Sequence, residues 1–458
     1  MVATAQQANV APTPPMGWNS WDAYGLTITE PQFRANVDVL RDKLLPFGWR
    51  YAVIDEGWFF ENPNDRPTPS KLRYAIDSYG RYVPVPARFP SAVVKGSPPS
   101  IASPSDATHK FSVTLEETNF AALGTWVHAQ GLQFGIHIVR GIPRASVERN
   151  LPIQGSSFHA QDAADPTDAC PWDPTNWGVR NNAAGQAWYD SLLRQYAFWG
   201  VDLLKVDCIA DRPYKLDEIE MIRRAIDKTG RPIVLSLSPG PTSLDHAAEI
   251  GKLSNMWRIA DDEWDVWSAA SGAPFPQGVK DQFARTAAWA KYAGPGNWPD
   301  ADMLTIGQLR PAPGWGQARA SRLTLDEQRT ELTLWSMARS PLIVGANLTL
   351  LDARTLALLT NREVIAINQT ATKSFELLHQ GDFIVWQADL PNGRIALALF
   401  NASDAPMNLN HTFAEFSPGF GDHPWSVHDV WAGKDLGPQR GVSTGLPAHA
   451  CLLLMLRR

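Results

Sequence analysis

Four times in this chain an amphipathic stretch stops at a glycine and a short apolar run follows at once: "PFGWRYAVID" at Gly48, "AQGLQFGIHI" at Gly131, "FWGVDLLKVD" at Gly200 and "KTGRPIVLSLS" at Gly230. A glycine just past a helix supplies the left-handed cap that ends it, so each is a helix–glycine–strand junction. The runs that follow are almost continuously apolar, as strands are when both faces are buried in a parallel sheet. Repeated βα units restrict the chain to a doubly wound sheet or a barrel. Candidate strands fall at 16–21, 51–55, 134–138, 203–207, 233–238, 256–260, 302–306 and 342–344, with helices over 29–45, 117–130, 187–199, 216–229 and 325–339. Eight strands with insertions fit an α/β, (β/α)8 TIM barrel. No glycine-rich dinucleotide fingerprint follows the first strand, which weighs against the doubly wound alternative.

From about residue 371 the pattern changes. "DFIVWQADLPNGRIALALFNAS" is two strands joined at Pro391, Asn392 and Gly393, and "HACLLLMLRR" is a closing strand. This predicts a small C-terminal antiparallel β-sandwich. At 458 residues the chain is too long for one ordinary core. The expected division is an N-terminal tail over 1–13, a catalytic barrel over 14–369 and the sandwich over 370–458. Two insertions, 59–111 and 139–184, follow strands, and the second contains "DPTDACPWDP". Their place is the C-terminal face of the barrel, where substrate loops sit.

A net charge of −6 argues against nucleic acid or an anionic membrane as partner. No apolar run approaches the ~20 residues of a membrane span. The three cysteines give no disulfide framework, though they leave room for one chance bond, and no CxxC or HxH pattern suggests a metal site. No cofactor is expected. The 19 tryptophans suit stacking on sugar C–H faces, and equally suit large core side chains. The start, "MVATAQQANVAPTPPMGW", lacks the basic and apolar regions of a signal peptide. It reads as the tail of a processed, exported chain or as the start of a cytoplasmic one. Oligomeric state is left open.

The strand ends carry the chemistry, because they form the reactive face of such a barrel. They supply Asp55 and Glu56, His137, Lys205 and Asp207, Ser236 and Ser238, Arg258, Asp261 and Asp262, then Asp300, Asp302 and Met303. Two carboxyls flanking one bond suit glycoside hydrolysis, one as acid and one as nucleophile or base. Lys205 lies two residues before Asp207 on one strand, points to the same side and would hold that carboxylate ionised, which favours Asp207 as nucleophile. A structural ion pair is as good a reading of Lys205 and Asp207 alone. Asp262, between Asp261 and Glu263, has the neighbouring charge that a proton-holding acid needs. Taken singly, Asp261 or Asp262 also reads as a helix cap, and His137 as a hydrogen-bonded structural residue.

"PPMGWNSWDAYG", "KVD", "WRIADDEWDVW", "AGPGNWPDADML" and "TLWSMARSPLIVGANL…NREVIAINQ" together resemble family 27 of the glycoside hydrolases, the α-galactosidase or melibiase family, in order over 14–369. The resemblance implies a TIM barrel plus β-sandwich and a metal-free, retaining exo-glycosidase. By motif, Asp207 falls on the nucleophile and Asp262 on the acid/base, which decides against Asp261. Arg258 falls on the residue that binds the sugar 2-hydroxyl, Lys205 on a binder of sugar hydroxyls, and Trp21 on the sugar's apolar face. Asp302 and Met303 fall on the pocket wall. Retention then requires the Asp207 and Asp262 carboxyls to lie ~5–5.5 Å apart.

Where the family's α-galactosidases end the second strand in two aspartates that hold the galactose 4- and 6-hydroxyls, this chain has Asp55 and Glu56. The longer acid reaches toward the place of the sugar's C6 group, which β-L-arabinopyranose lacks. Replacement of that aspartate is a feature of the family's β-L-arabinopyranosidases. A missing CH2OH alone discriminates by only ~1–3 kcal/mol, so dual activity is expected. The fifth strand carries "LSLSPGP" in place of the family's Glu and Trp, leaving the 2-hydroxyl to Arg258 and Ser238, and His137 stands where many members carry Tyr. The expectation is an enzyme releasing terminal α-D-galactosyl groups, with β-L-arabinopyranosyl release as the alternative. Two rivals are weaker. A catalytically dead sugar-binding barrel should lack one carboxylate of the pair, and a metallohydrolase should cluster its histidines.

Overall fold

The computed structural model describes residues 10–65, 71–94, 101–102, 112–115, 117–173, 175–269, 275–310 and 317–458. Eight strands form one parallel sheet: β1 (Met16–Asn19), β2 (Tyr51–Ile54), β3 (Gln133–Val139), β4 (Val201–Asp207), β5 (Val234–Leu237), β6 (Met256–Arg258), β7 (Trp298–Asp300) and β8 (Leu342–Val344). Their order is β7-β6-β5-β4-β3-β2-β1-β8. The ring closes through Leu304, which bridges Val344 and donates its N–H to Ile343 O at 2.7 Å. The chain is therefore the expected (β/α)8 barrel.

Each strand is followed by helix: α1 (Glu30–Val39), α2 (Ala121–Ala129), α3 (Ala183–Phe198), α4 (Leu216–Thr229), α5 (Ala247–Leu253), α6 (Gln282–Trp289), α7 (Leu325–Ala338), and the pair α8 (Ala353–Leu359) and α9 (Arg362–Thr370). The four junction glycines have φ of 102° at Gly48, 76° at Gly131, 80° at Gly200 and 69° at Gly230, the left-handed conformation their sequence context predicts. Helix starts are capped by side chains. Thr29 and Gln32 form a capping box on α1, Thr324 and Glu327 form one on α7, and Asn182 accepts from Gly185 N–H at 2.8 Å on α3.

The seventh strand lies at 298–300, not 302–306. Pro299 argues against a strand there, because it cannot donate to a ladder. It is tolerated because the bonds to β6 come from its neighbours: Trp298 N–H donates to Asn255 O at 3.0 Å, and Ile259 N–H to Asp300 O at 2.9 Å. On the other side the contact with β8 is made further along, at Leu304, so the missing donor is never needed.

Tryptophan is mainly a core residue here. Trp18, Trp49, Trp58, Trp188, Trp199, Trp257, Trp298 and Trp335 are fully buried, most of them between sheet and helices. Trp298 also donates to Ala11 O at 2.9 Å, tying the segment before β1 into the barrel's interior packing.

The C-terminal unit has a six-stranded antiparallel sheet of β9 (Lys373–Gln380), β10 (Phe383–Leu390), β11 (Arg394–Asn401), β16 (Cys451–Arg457), β13 (Trp425–Asp429) and β14 (Lys434–Gln439), in that order. β12 (Met407–Thr412) pairs with β15 (Gly441–Leu446), and Phe383, Leu397, Phe413, Trp425 and Leu454 pack in this unit's own core. Asn392 and Gly393, at φ 63° and 67°, make the expected hairpin turn. The unit docks on α7: Trp431 donates to Thr333 Oγ1 at 2.9 Å and His449 Nδ1 lies 2.7 Å from Glu327. Of the insertions, much of 59–111 lies outside the described residues.

Candidate active site

At the C-terminal ends of the strands opens a cavity of about 510 Å³. Ten of the eleven expected side chains line it: Trp21, Asp55, Glu56, His137, Lys205, Asp207, Ser238, Arg258, Asp262 and Met303. Asp302 stands behind Arg258 instead and reaches the cavity only through it. Trp21 opens the short helical turn Trp21–Tyr24 just past β1, outside the strand expected for it.

Strand alternation sets the geometry. Lys205 and Asp207 project to the same side of β4, and Lys205 sits in register with His137 on β3. The ammonium, however, is bound to Asp55: Lys205 Nζ lies 2.8 Å from Asp55 Oδ2, which also accepts from Asn19 Nδ2 at 2.7 Å. The group beside Asp207 is His137, whose Nε2 lies 3.7 Å from Asp207 Oδ2 and 4.0 Å from Asp55 Oδ1. Burial pushes the Asp207 carboxyl up, but the neighbouring His137 imidazole, then Lys205, and the Cys208 N–H on Oδ1 at 2.8 Å bring it below the ordinary carboxylate range. Asp55 is likewise held well below that range, its burial outweighed by Lys205 first and His137 next. Burial depresses the His137 imidazole, yet Asp55 and Asp207 together raise it above its ordinary value.

Asp262 is shifted the other way. Burial is the main cause of its raised value, only partly offset by Arg258, and the charge of Asp207 raises it further. One guanidinium nitrogen, Arg258 Nη2, lies 2.6 Å from Asp302 Oδ2 and 3.2 Å from Asp262 Oδ1, so a buried aspartate competes for the cation. Asp302 itself is pushed up to about 7 by burial, with Arg258 opposing. Glu263 lies elsewhere. It is buried among Glu331, Asp302 and Asp22, and burial drives its carboxyl well above the ordinary range. Asp261 serves the loop, pairing with Arg212 Nη2 at 2.6 Å and accepting the Asp262 N–H at 2.9 Å. One cavity thus holds a carboxyl shifted below the ordinary carboxylate range and another shifted above it, the direction of separation that acid/base chemistry at a glycosidic bond uses.

Sequence reading misses the rim. Cys170 and Cys208 form a disulfide, Cα to Cα 6.0 Å, that ties the second insertion to the residue after Asp207. Arg140 reinforces it, with Nη1 2.7 Å from Glu218, both Nη atoms on Asp168 at 3.0 and 2.9 Å, and Nε donating to Cys208 O at 2.7 Å. The loop so held places Pro171 and Trp172 in the cavity wall, and Arg212, Pro239 and Phe275 complete it. The available signal is the "ACPWDP" run inside an insertion already assigned to the substrate face. Among the described residues, no group of three or more His, Cys, Asp or Glu could hold a metal ion.

Two carboxyls with opposed shifts in one cavity at the strand ends of a barrel suit a glycoside hydrolase. The family model for alpha galactosidase A matches residues 181–370, and that for the alpha galactosidase C-terminal beta sandwich domain matches residues 380–456. A GH27 β-L-arabinopyranosidase from Geobacillus stearothermophilus is 39% identical, with TM-score 0.86, covering 99% of this chain and 98% of its own. A variant of that enzyme in complex with arabinose is 38% identical, with TM-score 0.86, covering 99% of each chain. Alpha-galactosidase 2 of Arabidopsis thaliana is 26% identical over 454 residues, 98% of this chain and 90% of its own. The chain belongs to glycoside hydrolase family 27, and it hydrolyses O-glycosyl bonds.

Proposed function

We propose that the protein is a retaining exo-glycosidase that prefers terminal β-L-arabinopyranosyl groups and accepts α-D-galactosyl groups as slower substrates. The observation that supports the mechanism is that Asp207 and Asp262 line one cavity, Asp207 beside His137 at 3.7 Å and Asp262 beside Arg258 at 3.2 Å, surroundings that shift the first carboxyl down and leave the second raised. Asp207 attacks the anomeric carbon as Asp262 gives its proton to the glycosidic oxygen. The C1–O bond breaks, the leaving group departs as an alcohol, and a glycosyl ester of Asp207 forms. Water then loses a proton to Asp262 and attacks C1, freeing the Asp207 carboxylate and a sugar of the original anomeric configuration. Lys205 and Asp55 act as one hydrogen-bonded unit on the sugar hydroxyls, Arg258 and Ser238 serve the 2-hydroxyl, and Trp21 and Met303 supply apolar wall. His137 keeps Asp207 charged.

The sugar preference rests on Glu56, a buried carboxylate in the cavity wall beside Asp55, and on the likeness to the Geobacillus arabinopyranosidase. A carboxylate reaching toward C6 crowds a CH2OH and leaves a pentose unhindered. Parallel assays on aryl β-L-arabinopyranoside and aryl α-D-galactopyranoside test this. The arabinoside is expected to have the higher kcat/KM, and a clear galactoside preference would reverse the assignment. Glu56→Asp is expected to move the ratio toward galactoside by roughly tenfold, the scale of one methylene-sized fit. An unchanged ratio would remove Glu56 from the account.

A further inference from the structure

We propose that Trp172 builds a leaving-group subsite, its indole face receiving the apolar face of a six-membered ring attached to the departing oxygen. This rests on the glycosidase reading above and extends it to the other side of the scissile bond. Among the described residues Trp172 is the most exposed tryptophan, at 36%, where the others are buried or partly buried. Its exposure is at the cavity mouth, and its Nε1 lies 3.4 Å from Asp207 Oδ2. A tryptophan in the cavity wall beside the catalytic carboxylate lies next to the part of the substrate just outside the sugar pocket.

The position is rigid by construction. The Cys170–Cys208 bond, the Arg140–Asp168 pair and the Lys215–Asp168 contact at 2.7 Å anchor the segment before Trp172 to β4 and the loop after it. Behind Trp172, Asp173 is buried and accepts both the N–H and the hydroxyl of Thr175 at 2.6 Å. A platform held on both sides loses little entropy when a ring stacks on it. Phe275, 40% exposed on the loop after β6, and Arg212, on the loop after β4, share the rim. A cavity of about 510 Å³ is also larger than one pyranose needs, since pockets of this range enclose drug-sized ligands.

The test compares substrates that share the glycosyl group and differ in what leaves: a glycosyl fluoride, an aryl glycoside and a disaccharide. For Trp172→Ala, the loss of kcat/KM on the ring-bearing substrates is expected to exceed that on the fluoride by roughly tenfold or more. Trp172→Phe, which keeps a stacking face but no N–H, should recover most of that difference. If only the aryl substrate suffers, the occupant is an aryl group, and if both suffer it is any ring with an apolar face, sugars included. Equal losses on all three would overturn the subsite and leave Trp172 as a partner of Asp207 alone. Failure of the wild-type protein to turn over any glycosyl fluoride would instead strike the glycosidase reading itself.

Discussion

Replacing Asp207 with Asn is expected to lower kcat on every glycoside by roughly 10⁴-fold or more while leaving the fold intact, because the side chain that forms the bond to C1 is gone. The amide keeps the shape of the carboxyl, including the Oδ1 that accepts the Cys208 N–H at 2.8 Å, so a collapse of structure cannot explain the loss. Asp207→Gly gives a sharper result. The space it vacates admits azide, which should restore turnover and yield a glycosyl azide of inverted configuration. A variant retaining activity within tenfold of wild type would show that some other group attacks.

Asp262→Asn is expected to cost about 10³-fold in kcat/KM for sugar leaving groups, which need the proton, and far less for a dinitrophenolate, which does not. The pH profile should change with it. In the wild-type enzyme Asp207 must be ionised and its carboxyl is depressed, so activity rises with pH through its titration. Asp262 must be protonated and its carboxyl is raised, so activity falls as pH passes through it. The variant should lose the falling limb. If that limb persists, its source is another group, and Asp302, pushed up to about 7 and sharing Arg258, is the first candidate.

Much of the fold is legible in the sequence. Four glycine junctions place the βα repeat, because a left-handed cap favours the residue without a Cβ and the sequence records that preference directly, though α7 ends on Arg339 at φ 56° with no glycine to mark it. The seventh strand was misplaced for the opposite reason. Whether Pro299 can sit in a sheet depends on which side its missing donor faces, and that is a property of the closed ring. The collection of acids at the strand ends was readable too, but their pairing was not. Lys205 and Asp207 are two residues apart, which suggests a pair, yet Asp55 from β2 competes for the ammonium and holds it at 2.8 Å. His137, which the sequence places at the site as a sugar-binding residue, takes the place beside Asp207. Likewise the raised Asp262 owes more to burial than to its charged neighbours in sequence, since Glu263 turns away into a buried acid cluster. Trp172 lay in an insertion assigned to the substrate face, but only the disulfide and Arg140 bring it to the nucleophile.

Catalysis by Asp207 requires a covalent glycosyl ester on its carboxylate. A fluorinated glycosyl fluoride that slows hydrolysis of this ester should trap it, and mass spectrometry of the reduced tryptic digest should find the added sugar on the peptide spanning 206–215, fragmenting to Asp207 and not to Asp211. A label on any other residue, or no label together with a product of inverted configuration, would contradict it.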